Sequence, residues 1–165
     1  MTRVVALLLC VCLVLSGCGF FSDRLTEPVT FYYLEKEFQF GNHPSLIVSE
    51  EREASGHRND LSYLLALYLM GPAEEEHQSP LLPGTRILKA EQNSGIITLE
   101  LFNPAYTYSD SELSLVCACL TLTCLDITDA SQVNITYQEH TITMTKDSIT
   151  LFDDSSAEEM ITEES

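Results

Sequence analysis

Apolar and polar residues alternate in several short segments of the chain, which is typical of β-strands that are buried on one side. Strands are predicted at residues 29–34, 45–50, 85–90, 96–101, 133–137 and 141–145, the first from its aromatic and β-branched residues and the last two from their alternation. The third and fourth of these flank Asn93-Ser94-Gly95, whose turn chemistry predicts a β-hairpin. The same pattern at residues 148–152 is compatible with a last strand.

A longer apolar segment, residues 61–70, has the period of a helix. Asn59 is its predicted N-cap, with Asp60 in the first turn, and Gly71-Pro72 ends it. Apolar residues also occupy the flanks of the helix, so burial on more than one side is expected. The predicted core face consists of Leu61, Leu64, Leu65 and Tyr68.

A second helix is predicted at residues 111–125, directly after a capping box. In this motif the Ser109 hydroxyl accepts from the amide of Glu112, and the Glu112 side chain reaches back to the amide of Ser109. The predicted core stripe of this helix consists of Leu113, Val116, Cys117, Leu120 and Cys124.

The order of elements, ββ-α-ββ-α-ββ, predicts one α+β domain over residues 28–152. Its two helices are expected to pack on one face of a mainly antiparallel sheet. Residues 18–27 lack any period and would form a tether before the domain. Residues 153–165 hold six acidic residues and no basic one, a composition that predicts a disordered tail.

The first eighteen residues have the features of a secretory signal with a lipid attachment site. Arg3 precedes an uncharged run from Val4 to Leu15, which is too short to span a ~30 Å hydrocarbon core as a helix. Leu15-Ser16-Gly17-Cys18 resembles the bacterial lipobox, in which the cysteine thiol is diacylated and the bond before it is cut. Residues 1–17 would then be a signal peptide, and two acyl chains on Cys18 would anchor the chain to the extracytoplasmic face of the cell membrane. The alternative is an uncleaved hydrophobic helix followed by an ordinary turn.

The charge of the chain limits its partners. All 25 acidic residues lie after the predicted cleavage site and only Arg3 of the eight basic ones precedes it, so the mature chain carries a formal charge of −18. Such a charge repels nucleic acid and anionic lipid headgroups, so no nucleic-acid binding is expected. The charge serves either solubility alone or the attraction of a basic partner or divalent cations.

Three cysteines remain after the signal and Cys18, and all lie in the second predicted helix. Cys117 and Cys119 would point to nearly opposite sides, and Cys117 and Cys124 would be roughly 10.5 Å apart. A disulfide needs Cα atoms within ~7 Å. The histidines are scattered, so no zinc site is expected either. The three cysteines are predicted to be buried free thiols.

No catalytic motif occurs in the sequence: there is no Gly-x-Ser-x-Gly, His-Glu-x-x-His, P-loop or Gly-x-Gly-x-x-Gly. His57, Asp60 and His140 are interpreted as solvated loop or cap residues. The acidic run Glu74–His77 lacks the ligand spacing of an EF-hand and is interpreted as a solvated charge run. The sequence therefore predicts no catalytic residue, no metal ligand and no cofactor.

Residues 46–145 resemble the GerMN domain, named for a sporulation and germination lipoprotein. The matching segments are Leu69-Met70-Gly71-Pro72, residues 79–88 (the family's "S-L-P-x-G-T-x-V-L"), residues 95–101 ("G-x-a-x-V-D-L") and Leu120–Thr123 ("N-T-L-T"). This chain has room for one copy, whereas the name-giving protein carries two, and Gln138-Glu139-His140 replaces the usual "D-G-K" turn. The resemblance implies an extracytoplasmic module similar to ring-building motifs, without catalytic residues.

Two functions follow from these features. The leading hypothesis is a non-enzymatic lipoprotein that binds an envelope protein in a sporulation, germination or cell-envelope complex, with self-association allowed. The expected contact surface is a sheet edge or the loop from Glu74 to Gly84. The alternative is a lipoprotein that binds peptidoglycan or a sugar through Tyr106 and Tyr108, if these rings are exposed. Core packing or loop anchoring is the competing interpretation of the two rings.

Overall fold

The computed structural model describes residues 27–37 and 45–149. The predicted signal peptide, Cys18, most of the tether and the acidic tail lie outside the described residues. Of the segment 148–152, Ser148 closes a 3₁₀ turn that spans Lys146–Ser148, so no strand begins at that residue.

Seven strands and two α-helices form the described part of the chain. In order they are β1 (Pro28–Glu35), β2 (Ile47–Glu53), α1 (Leu61–Leu69), β3 (His77–Gln78), β4 (Arg86–Asn93), β5 (Ile96–Phe102), α2 (Asp110–Ile127), β6 (Gln132–Tyr137) and β7 (His140–Met144). All elements predicted before residue 148 are present within a few residues of their predicted bounds. The short strand β3 was not predicted.

The strands belong to two sheets, with the orders β2-β1-β3 and β4-β5-β6-β7. The α+β class is confirmed, but the prediction of a single sheet is wrong. All neighbouring strands are antiparallel except β5 and β6. These two are parallel because the chain between them crosses back through α2, as parallel neighbours require.

Helix α2 lies between the two sheets, contacting β1 of one and both β6 and β7 of the other. The prediction that both helices cover one face of one sheet is therefore wrong. Four residues of the predicted core stripe of α2 are buried, namely Val116, Cys117, Leu120 and Cys124. Leu113 is only partly buried. Because sheets flank the helix, it is buried nearly all round from Val116 onward, at Val116, Cys117, Cys119, Leu120, Thr121, Leu122, Thr123, Cys124 and Ile127.

Side chains from both helices cover part of an edge of β1. Strand β3 pairs only with Leu34 and Glu35. Tyr32 lies two residues before Leu34, so its main-chain groups point to the same edge. Its amide donates to Thr123 Oγ1 at 3.0 Å, and its carbonyl accepts from the Tyr68 hydroxyl at 2.9 Å. The helices thus supply hydrogen-bond partners for main-chain groups of β1 that lie beyond the short strand β3.

Two buried threonines of α2 offer a matched test of this edge contact. Thr123→Val should lower the free energy of unfolding by about 1–3 kcal/mol, because it removes the acceptor of the Tyr32 amide. The hydroxyl of Thr121 is buried without a hydrogen-bond partner, so Thr121→Val should be neutral or stabilising. Both changes keep a β-branched side chain in the same helix. Urea denaturation measures the difference, and equal losses at both sites would contradict the assigned hydrogen bond.

The capping box that begins α2 is confirmed. Helix α1 differs at its start, because Asp60 rather than Asn59 is the N-cap and accepts from the amide of Tyr63 at 3.0 Å. Asp60 is therefore not a first-turn residue. Both residue types are good N-caps, so the sequence alone does not separate two neighbouring candidates.

Candidate interaction surface

The loop from Glu74 to Gly84, which the sequence predicted as a contact region, is attached to β2 through a buried carboxylate. Glu50 is only 5% exposed. Its carboxylate accepts from the amide of Ala73 at 2.9 Å and 3.1 Å, and from the amide of Glu74 at 3.1 Å. His77 Nδ1 lies 3.2 Å from Glu50 Oε2. One side chain therefore positions the first part of this acidic loop.

Arg52 completes this network. Its Nη1 atom donates to Glu50 Oε1 at 3.3 Å and to the carbonyl of Gly71 at 3.1 Å. Burial alone would raise the pKa of the Glu50 carboxyl. The hydrogen bonds from the two loop amides, His77 and Arg52 outweigh this effect, so the pKa is lowered. Glu50 is thus an ionised, structural group. Sequence reasoning missed it because three of the seven residues of β2 are glutamate and nothing local distinguishes the buried one.

The second part of the loop, up to Thr85, is attached to Tyr108. The Tyr108 oxygen accepts from the amide of Leu82 at 3.0 Å and lies 2.6 Å from Thr85 Oγ1. Thr85 directs its own proton to the carbonyl of Leu82, so Tyr108 is the donor in the bond to Thr85. Tyr108 is 6% exposed, and its ring meets Tyr137 edge to face with centroids 5.2 Å apart.

Tyr108 therefore cannot serve as a stacking surface; core packing and loop anchoring, the competing interpretation of this ring, describe it. Tyr106, 55% exposed, is the only member of that pair on the surface. Sequence reasoning could not distinguish the two tyrosines, since they share one polar loop and differ only in the partners that they reach.

Next to these tyrosines lies a partly apolar groove of about 230 Å³, which we call the Phe102 groove. It is lined by Leu88, Leu101, Phe102 and Tyr137 together with the polar residues Glu100, Asn103 and Gln138. Leu88 is 56% exposed and Phe102 44%. Leu88 has no partner in the β4–β5 register, which shifts between Ile87 and Lys89, so a β-bulge turns it out of the core. The hydroxyl of Tyr137 donates to the carbonyl of Tyr106 at 3.2 Å, which places the Tyr106 loop beside the groove.

A larger and more polar cleft of about 570 Å³ lies where the loop before α1 meets the end of α2. Arg58 donates to the carbonyl of Ile127 at 2.7 Å. Gln92 Nε2 donates to Asp129 Oδ1 at 2.5 Å across the same cleft. Arg58 thus satisfies a main-chain carbonyl at the C-terminal end of α2, where a cation is favoured.

The titratable residues that the sequence singles out, His57, Asp60 and His140, are all exposed. His57 stacks on Tyr63 with ring centroids 4.1 Å apart, and its Nδ1 lies 4.0 Å from Asp60 at an exposed site. His140 is an exposed residue at the start of β7. Within residues 27–37 and 45–149, no three His, Cys, Asp or Glu side chains are arranged to hold a metal ion. None of the helices in these ranges is long and apolar enough to cross a membrane.

The cysteines of α2 are buried, as predicted, and are free thiols. Burial raises the pKa of Cys117 to about 11 and that of Cys119 and Cys124 to about 12. The thiol is the unreactive form of cysteine. Cys119 instead donates a weak hydrogen bond to the carbonyl of Tyr33, with sulfur and oxygen 3.8 Å apart. These residues act as part of the core between the two sheets.

Together these features define a small α+β domain with an anchored acidic loop and a partly apolar groove. No protein-family model and no curated protein matches the sequence. Among solved structures, the domain is similar to a candidate lipoprotein from Clostridium perfringens, with 15% identity and a TM-score of 0.47 over 81% of this chain and 97% of that one. It is also similar to the tandem GerMN domains of the sporulation protein GerM from Bacillus subtilis, with 17% identity and a TM-score of 0.46 over 74% of this chain. The match spans 42% of the tandem structure.

Proposed function

We propose that this protein is a lipid-anchored, extracytoplasmic binding module with a GerMN-like domain, which helps to assemble a sporulation, germination or cell-envelope complex. The observation that carries the proposal is Leu15-Ser16-Gly17-Cys18 at the end of an uncharged run that begins at Val4. Glu27, where the described domain begins, follows Cys18 by nine residues. The domain would therefore be held close to the membrane surface.

The described domain supports a binding role rather than a catalytic one. Its most buried carboxylate, Glu50, uses its oxygens to hold the loop, and Tyr108 uses its hydroxyl in the same way. The Glu50 carboxylate and the Tyr108 hydroxyl are thus engaged in holding the loop, while the side chains of Leu88 and Phe102 remain exposed to a partner. Tethering raises the effective concentration of such a surface toward an embedded partner, so weak contacts are sufficient.

The test of this proposal is Cys18→Ala in the full-length chain. We expect the wild type to fractionate with membranes as a cleaved, diacylated protein, because Cys18 supplies the only thiol at the lipobox. The variant should be recovered as an unacylated precursor or as soluble protein. Cys12→Ala, inside the uncharged run, is the matched control and should be processed like the wild type. Intact-mass measurement that finds no acyl group on the wild type would contradict the anchoring proposal.

A further inference from the structure

The Phe102 groove and the start of the tether lie at opposite ends of the domain. The carbonyl of Glu27 accepts from the amide of Ala54 at 2.9 Å, which fixes the tether beside the loop of residues 54–60. Arg58 joins that loop to Ile127 at the end of α2. Ser131, just beyond, donates to the carbonyl of Gly95 at 2.9 Å, immediately before β5 begins. The start of β5 is thus at the tether end of the domain.

The other end of β5 is Phe102, which lines the groove. Strands rise about 3.3 Å per residue, so the seven residues of β5 separate the two ends by roughly 20 Å. The acidic loop also belongs to the groove end, because Lys36, just after β1, donates its amide to the carbonyl of Glu76 at 2.8 Å. If Cys18 carries the lipid, the groove lies on the side that faces away from the attachment point.

The size of the Phe102 groove limits what it can hold. Pockets for small ligands usually have volumes of about 300–1,000 Å³, and the groove of about 230 Å³ is below this range. It suits one large side chain. Leu88 and Phe102, which line the groove, are also exposed apolar residues. Large side chains that fill small pockets of this kind dominate the binding energy of many protein interfaces.

Acidic residues predominate around this end of the domain. Glu100 lines the groove, Glu139 is exposed in the turn after Gln138, and Glu74–Glu76 are exposed on the loop. Of the nearby cations, Lys89 is paired with Glu91 at 3.1 Å, while Arg86 lies opposite Phe102 in the β4–β5 register. The surroundings therefore favour basic residues in a partner and disfavour a second copy of this acidic chain.

We propose that the Phe102 groove binds one apolar side chain of an envelope protein, and that lysine or arginine residues flank this side chain in the partner. This inference rests on the proposed lipid-anchored function, because the tether determines which end faces outward. An anionic bilayer is a poor occupant, since the groove is remote from the tether and its surroundings are acidic.

The first test places a photo-cross-linking residue, p-benzoylphenylalanine, at Phe102 of the full-length lipoprotein in its own cells. The same residue at Asn93, an exposed position of the tether end, is the matched control. Sequencing of the cross-linked peptide should show an apolar residue flanked by lysine or arginine in an envelope protein. The yield at Phe102 should exceed that at Asn93 by about tenfold and fall by about fivefold in high salt. Cross-links to lipid or to a second copy, equal yields, or no cross-link at Phe102 would overturn the inference.

The second test uses defined probes and the mature chain, residues 18–165, made soluble by Cys18→Ala. The peptide Lys-Lys-Phe-Lys-Lys should shift the amide NMR signals around Leu88, Phe102 and Gln138, and its affinity should fall about tenfold in Phe102→Ser. The control peptides Glu-Glu-Phe-Glu-Glu and Lys-Lys-Ala-Lys-Lys should bind weakly. Met70 is an exposed apolar residue outside the groove, so Met70→Ser should leave the affinity for Lys-Lys-Phe-Lys-Lys unchanged. Shifts elsewhere or equal affinity for all three peptides would overturn the groove. An unacylated wild type with normal peptide binding would instead remove the proposed anchoring and leave the groove intact.

Discussion

Leu120→Ala is expected to lower the free energy of unfolding by about 2–5 kcal/mol, because it would open a cavity at a site where no neighbour is free to move in. Leu120 is fully buried on α2, and that helix is enclosed by β1 on one side and β6 and β7 on the other. Leu65→Ala should cost a similar amount, since Leu65 is 2% exposed on α1. Guanidinium or urea denaturation with an unchanged m-value measures both losses.

Leu69→Ala is the matched control, because Leu69 lies on the same helix as Leu65 but is 39% exposed. Its loss should be clearly smaller than that of either buried leucine. A change under about 0.5 kcal/mol at Leu120 is the range of a surface residue and would mean that α2 is not enclosed by two sheets.

The helices and most strands could be predicted from the sequence because their signals are local. The aromatic and β-branched residues of Val29–Leu34, the capping box at Ser109 and the Gly71-Pro72 terminator each act within a few residues of the element that they specify. The division into two sheets could not be predicted in this way. It depends on contacts such as that between Tyr32 and Thr123, which are 91 residues apart. A helix between two sheets and a helix on one sheet can share the same apolar period.

The candidate surface was predicted only in part, for a similar reason. The loop of Glu74–Gly84 could be identified by its charge and its prolines. The Phe102 groove depends on a β-bulge at Leu88, and the sequence around it, Ile87-Leu88-Lys89, reads as an ordinary strand. Tyr106 and Tyr108 lie in the same segment of sequence. Which of these two tyrosines becomes buried depends on the distant Leu82 and Thr85, which form hydrogen bonds with Tyr108 and not with Tyr106.

Glu50→Ala is the second substitution for which a large effect is expected, about 3–5 kcal/mol of lost unfolding free energy. The amides of Ala73 and Glu74 would lose their acceptor, and the partly buried Arg52 would lose its charge partner. Glu50→Gln should cost less than Glu50→Ala, because the glutamine amide oxygen can still accept from one loop amide. Some loss should remain, since the NH₂ group would face the other donors and cannot accept from them. Amide hydrogen exchange should show faster opening of residues 71–78 in both variants.

The pH dependence of stability should follow from the same carboxyl. The pKa of Glu50 is lowered in the folded state from its ordinary value of 4.5, so folding favours the ionised form. Its contribution is fully present above that ordinary value and is lost as the pH falls through the lower, folded pKa. Stability of the wild type should therefore decline on acidification below about pH 5, and Glu50→Gln should remove part of this decline.

The control for this pH effect must separate Glu50 from other carboxyls that titrate in the same range. Hydrogen bonds from the hydroxyl and the amide of Ser109 also lower the pKa of Glu112, so part of the acid dependence should remain in Glu50→Gln. Glu51→Gln, an exposed change next to Glu50 on β2, should leave the free energy of unfolding within about 0.5 kcal/mol of the wild type. If Glu50→Gln and Glu51→Gln have the same denaturation curves from pH 3 to 7, the carboxylate of Glu50 does not hold the acidic loop. In that case the loop would have to be positioned by Tyr108 and the β1–β3 pairing alone.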